Sequence, residues 1–217
     1  MTLDEPVRRY LSHAVGPGAE RAAGVRLAMQ GRIRVGAWLP FIAMQECDGR
    51  SFAWRARLGL GPVTVLTVLD RFADGVGSTE GRLLGRRRVF GDEGPDTSRS
   101  AAGRAALESV FAPMSLLPDR GVAWRAEGDD CVFATFDVPP ERPELRLRIG
   151  RDGELVSVSA PRWRGADAGY VACGCEVRAE RRFGGLTVPS HLRVGWWFGT
   201  PRYRPFFEAR VTALTAA

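Results

Sequence analysis

The sequence predicts an α+β fold, mainly antiparallel β: a curved sheet or unclosed β-barrel with two helices packed on or in its concave face. Three observations carry this prediction. Most of the chain alternates apolar and charged residues with a period of two. Turn pairs rich in glycine punctuate it at hairpin spacing. Only two stretches carry helical periodicity. A single domain over residues 1–217 accommodates all of these segments.

The first helix is expected at about residues 4–15. Asp4 is placed to cap it, Pro6 suits its first turn, and Val7, Tyr10, Leu11 and Ala14 share one face. Gly16-Pro17-Gly18 stops it. Strands then fill about residues 25–90. Val25, Leu27, Met29, Ile33 and Val35 alternate with Arg26, Gln30, Arg32 and Arg34, and Phe52, Trp54 and Leu58 oppose Arg55 and Arg57. The segment from Val63 to Phe72 is apolar at both parities, which predicts cover on both faces. Gly94 to Ser100 reads as a polar turn. A second helix is expected at about 98–117, with Ala101, Ala102, Ala105, Leu107, Val110, Phe111 and Met114 inward and Pro113 ending or kinking it.

Strands resume over about residues 122–214. Leu145, Leu147 and Ile149 oppose Arg146 and Arg148; Val177 and Phe183 oppose Arg178 and Arg182. The pairs Asp48-Gly49, Asp74-Gly75, Asp152-Gly153 and Gly184-Gly185 mark hairpins, and Pro139, Pro140 and Pro143 a hairpin loop. Strands joined this closely are antiparallel.

Composition narrows the function. All 31 basic residues are Arg, and the net charge is +6 with a pI near 9.9. The arginines are dispersed among acids, and the single run Arg86-Arg87-Arg88 is followed by Asp92 and Glu93. That distribution argues against a nucleic-acid partner and for a solvated sheet face. The first fifteen residues hold four charges and no apolar run, unlike a secretory leader. No segment approaches the ~20 apolar residues of a membrane-spanning helix. The expected location is therefore the cytoplasm, with Cys47, Cys131, Cys173 and Cys175 reduced.

Cofactor motifs are missing. There is no phosphate-binding G-x-x-x-x-G-K-[ST], no G-x-G-x-x-G between strand and helix, and no G-x-S-x-G elbow, so no cofactor is expected. Ser190 and His191 are neighbours on a strand and point to opposite faces, which rules them out as a dyad. Cys173 and Cys175 share a strand face near His191, but a lone C-x-C lacking a fourth ligand reads as core packing, and no metal is expected.

What remains is an aromatic wall with a few polar groups, the usual make-up of a small-molecule site. Trp38, Phe41, Gln45, Phe52, Trp54, Trp124, Trp163 and Trp197 are the candidate ligand-binding residues. Asp70, Glu108 and Arg55 are the candidate catalytic groups, since a carboxylate facing an apolar interior can serve as acid or base. The simpler alternatives are an ion pair of Glu108 with Arg104, four residues earlier, and an Arg partner or turn cap for Asp70.

The motif order W-L-P-F-I-A-M-Q (38–45), F-A-W-R-A (52–56), D-R-F-A-D-G-V-G (70–77), Pro161-Arg162 and G-L-T-V-P (185–189) resembles an uncharacterised bacterial family, a domain of unknown function, over nearly the whole chain. Where that family tends to carry aromatics after Tyr170-Val171, this chain has Cys173 and Cys175, which would enlarge a cavity. The strand order also resembles the LolA-like lipoprotein carriers. That resemblance implies a long antiparallel sheet rolled into an unclosed barrel, helices at its mouth and a hydrophobic cavity. The function expected is binding of a hydrophobic or amphipathic small molecule in the concavity. The alternative is a cofactor-independent enzyme of cyclase or isomerase type, using a carboxylate on a hydrophobic metabolite.

Overall fold

The alternating segments fold into one antiparallel sheet. The computed structural model describes residues 3–60 and 63–217. A first meander comprises β1 (Val25–Val35), β2 (Ala37–Cys47), β3 (Phe52–Leu60), β4 (Val63–Ala73), β5 (Val76–Leu83) and β6 (Arg87–Glu93). A second comprises β7 (Ala123–Ala126), β8 (Cys131–Thr135), β9 (Glu144–Ile149), β10 (Leu155–Trp163), β11 (Tyr170–Phe183), β12 (Leu186–Trp196) and β13 (Arg204–Ala216). The last strand pairs with the first, Val25 opposite Ala216 and Ile33 opposite Phe207. The order is therefore β6-β5-β4-β3-β2-β1-β13-β12-β11-β10-β9-β8-β7. The two outermost strands, β6 and β7, do not pair with each other, so the barrel stays open. The four turn pairs expected from the sequence join β2 to β3, β4 to β5, β9 to β10 and β11 to β12.

The concave face holds the core. Val25, Leu27 and Met29 of β1, Phe41, Ala43 and Gln45 of β2, and Phe52, Trp54 and Leu58 of β3 are buried, while Arg26, Arg55 and Arg57 point outward. The first helix, α1 (Glu5–Ala14), buries Val7, Tyr10, Leu11 and Ala14 against β7, β8 and β12. Asp4 does not cap it; its carboxylate accepts the Ala126 N–H at 3.0 Å and ties the helix to β7.

The second helix, α2 (Pro95–Leu107), crosses the concavity between β4–β5 and β10. Its buried face is Ala101, Ala102, Gly103, Ala105 and Ala106, small enough to seat the helix close to the sheet. At Gly77 of β5 a side chain would collide with Ala101 and the Thr97 carbonyl, and the Gly77 N–H donates to Ser98 Oγ at 3.0 Å.

The second helix was expected over about 98–117 but spans Pro95–Leu107, followed by 3₁₀ turns at Glu108–Phe111, Pro113–Leu116 and Pro118–Arg120. Pro95 is preset for a first helical turn, so the helix starts inside the apparent loop. An α-helix through Pro113 would drive its ring into the Ser109 carbonyl, so the chain tightens beforehand. Nor is β4 covered on both faces. Leu66 and Phe72 are buried, but Val63 and Val65 are exposed to solvent.

Candidate functional site

Beneath α2, the concave faces of β1–β4 and β11–β13 enclose a cavity of about 210 Å³. Its apolar wall is formed by Met29, Ile33, Trp54, Leu107, Val110, Phe111, Leu192, Val194, Trp196, Phe206 and Phe207. Phe41 backs this wall, its ring 5.7 Å from Trp54 and 5.0 Å from Phe207. Cys173 and Cys175 sit on one strand face, opposite Trp196 and Val194, and both line the cavity. Burial raises both thiols above their ordinary pKa, so they are neutral walls and not nucleophiles.

One boundary of the cavity is ionic. Arg104 of α2 donates from one terminal nitrogen to Asp70 Oδ2 at 2.8 Å and from Nε to Glu108 Oε1 at 2.7 Å. Gln45, buried among apolar neighbours, donates to Glu108 Oε2 at 2.8 Å, and Thr79 donates to Asp70. The guanidinium lies over the Phe52 ring at 4.2 Å and faces Trp54 at 5.5 Å. Burial opposes the charge of Arg104, but Glu108 and then Asp70 outweigh it and hold its pKa above the ordinary value. Asp70 and Glu108 are thus brought together, as two acceptors of one arginine.

Arg162 of β10 stands beside this cluster. Its Nε donates to the Ser100 carbonyl at 2.8 Å and its guanidinium lies 4.9 Å from the Trp196 ring centre. No ion pair engages it among the described residues. Asp70, Arg104 and Arg162 border both the apolar cavity and a larger, more polar cleft of about 430 Å³ that opens between α2, β5 and the β10–β11 turn. The indole N–H of Trp54 is buried and has no hydrogen-bond partner among the described residues.

The other candidates disperse. Arg55 is on the convex face, separated from Asp70 and Glu108 by the sheet, because it pairs with Leu69 while Trp54 pairs with Asp70. Trp38 has the parity opposite to Phe41 and stacks outside under Arg32 at 4.9 Å. Trp124 packs on Tyr10 and donates to the Leu116 carbonyl at 2.9 Å, away from the cavity. Phe52 and Trp163 border the polar cleft. Trp197 lies in the β12–β13 loop among Arg164 and Arg202. His191 is on the convex side beside Glu208 and Arg210, not with the two thiols.

Arg104, Arg162, Trp196, Phe206 and Phe207 are site residues that the candidate set did not include. Phe206 and Phe207 both reach the cavity because the β12–β13 register slips between Val194 and Gly195, a bulge that turns adjacent side chains inward. The doublet Phe206-Phe207, out of step with the period of two, was the available signal.

An unclosed antiparallel half-barrel wrapped around internal helices, with an apolar cavity beneath them, defines the structural class of this chain. The fold is similar to that of a domain from Vibrio parahaemolyticus assigned to outer membrane lipoprotein sorting (TM-score 0.51, 6% identity, 98% of this chain and 91% of that one). It is equally similar to a DUF1329 family protein from Desulfovibrio piger (TM-score 0.51, 10% identity, 97% and 90%). A LolA superfamily protein from Nitrosomonas europaea aligns over 100% of this chain and 94% of its own, at 8% identity and a TM-score of 0.44. The chain belongs to the family of unknown function DUF6920, whose pattern matches residues 1–215. No curated protein matches it.

Proposed function

We propose that the protein binds a hydrophobic or amphipathic small molecule in the concavity of its sheet, with the apolar part in the cavity and a polar end at Arg162. The observation that carries this reading is the cavity of about 210 Å³, apolar on its walls and polar at one boundary. That space equals roughly seven water volumes at about 30 Å³ each, enough for a medium-length chain or a ring system. Assignment of a domain of the same fold to lipoprotein sorting agrees with a lipid-like ligand.

Binding is favoured over acid–base catalysis because both interior carboxylates are engaged by Arg104. The four unbridged thiols agree with work in a reducing compartment, the cytoplasm. The test has two arms. Protein purified from its own host is analysed by native mass spectrometry for a co-purifying apolar molecule. Recombinant protein is then titrated with saturated fatty acids of increasing length, read by tryptophan fluorescence. Saturable binding that Cys175→Phe abolishes supports the reading; no bound molecule and no response to any chain length refutes it.

A further inference from the structure

We infer that one end of the first meander is a docking surface for anionic lipid membranes. The turns β1–β2 and β5–β6 and the paired ends of β3 and β4, Leu60 and Val63, alternate with the turns at Asp48 and Asp74, so they lie at the same end of adjacent strands. This end exposes large apolar side chains: Leu84 is 64% exposed, Val63 57%, Val89 48% and Val35 47%, with Val65, Leu83 and Phe90 beside them. Arg34, Arg86, Arg87 and Arg88 are exposed among them. No Asp or Glu occurs in residues 33–38, 63–66 or 82–90. Two acids further along the strands are each held by an arginine, Glu80 by Arg82 and Glu208 by Arg32. The opposite end of the same strands carries Asp48, Asp74, Asp92 and Glu93.

A second observation concerns the β5–β6 turn itself. The Arg86 N–H closes it onto the Leu83 carbonyl at 3.0 Å, and both central residues are left-handed, Leu84 at φ 50° and Gly85 at φ 70°. Asn-Gly is the favoured pair for such a turn, and a branched apolar residue at positive φ is strained. The Leu84 N–H is also fixed to the Val65 carbonyl at 2.9 Å. The fold therefore holds a leucine outward at the tip, against local preference, next to three consecutive arginines. Apolar tips flanked by cations match the chemistry of an interface whose surface is negative and whose interior is apolar. The charge sequence along β6, basic at Arg87 and Arg88 and then acidic at Asp92 and Glu93, would also suit a second copy of this chain, and the test separates the two.

The test is co-sedimentation with vesicles of phosphatidylcholine alone or of phosphatidylcholine with equimolar phosphatidylglycerol, at low and high salt. Wild-type protein should partition onto the anionic vesicles and be released by salt. The triple variant Arg86→Gln/Arg87→Gln/Arg88→Gln should lose about a hundredfold in partitioning, from about 1 kcal/mol per arginine. Leu84→Asn should lose severalfold while melting no lower than wild type, because Asn relieves the turn; this separates docking from folding. Arg148→Gln, on β9 of the other meander, should change nothing. Absence of wild-type binding to anionic vesicles at low salt overturns the inference, as does binding that neither variant weakens. A concentration-dependent dimer that both variants dissolve, without vesicle binding, would assign the surface to a second copy instead. None of these results depends on whether the cavity holds a ligand.

Discussion

Replacing Arg104 by Met tests the ionic boundary of the cavity. The side chains of Arg104, Asp70 and Glu108 are only 18%, 25% and 16% exposed. Removing the cation strands two carboxylates in the concavity, with Thr79 and Gln45 as remaining donors. Breaking a buried ion pair from one side costs about 3–5 kcal/mol. The residual exposure places this case at the lower end, about 3 kcal/mol, equivalent to a fall of roughly 6–12 °C in Tm for a chain of this size. Urea denaturation should show a lower midpoint at unchanged slope. The isosteric triple variant Asp70→Asn/Arg104→Met/Glu108→Gln leaves no stranded charge and should recover most of the loss. A cost below about 1 kcal/mol for Arg104→Met would be that of a surface pair and would refute the buried cluster. Failure of the triple variant to recover would assign the loss to the stacking of Arg104 on Phe52 and Trp54.

Three further outcomes follow from single interactions. Hydrogen bonds from Arg32, and then from Arg193, hold the Glu208 carboxyl at about 2, against a reference of 4.5, with burial opposing. A lowered folded pKa gives stability that is complete above the reference value and lost as pH falls through 4.5 towards 2; after screening it amounts to about 1 kcal/mol. Glu208→Gln should flatten the Tm profile in that window only. Trp124→Phe leaves the buried Leu116 carbonyl without its donor and should cost about 1–2 kcal/mol in urea melts. Arg162→Gln should weaken binding of a medium-chain carboxylate about tenfold while leaving the alcohol of equal length unchanged in the same fluorescence titration.

The sheet was legible because its chemistry is periodic. Arg55 and Arg57 against Trp54 and Leu58 can adopt one register only if water lies on one side, and the turn pairs fix where each strand stops. The open barrel was legible at the level of resemblance, since no local pattern states that β13 returns to β1. Composition misled at β4: a run of Val, Leu and Thr looks buried on both faces, yet Val63 and Val65 meet solvent. Periodicity also misled at α2, where a proline effect four residues away outweighed a continuous apolar face.

The site was legible by residue type and not by direction. Trp38 and Phe41 are equally apolar, yet parity sends one outside and the other inside. Asp70 and Glu108 belong to separate segments, and their meeting on Arg104 depends on how α2 crosses the sheet.

The cavity has a local cause that can be tested. Opposite Leu107, Val110 and Phe111, the strand presents two small side chains, Cys173 and Cys175. If this space is maintained for a ligand, filling it should stabilise the empty protein. At about 24 cal/mol per Å³, a void of about 210 Å³ corresponds to at most about 5 kcal/mol. Cys175→Phe fills part of it and should raise the unfolding free energy measured in urea by about 1–2 kcal/mol while abolishing ligand binding. A variant that loses stability by overpacking would show that the wall cannot accept bulk there. The cavity would then be a consequence of packing, and the exchange of stability for function argued here would be wrong.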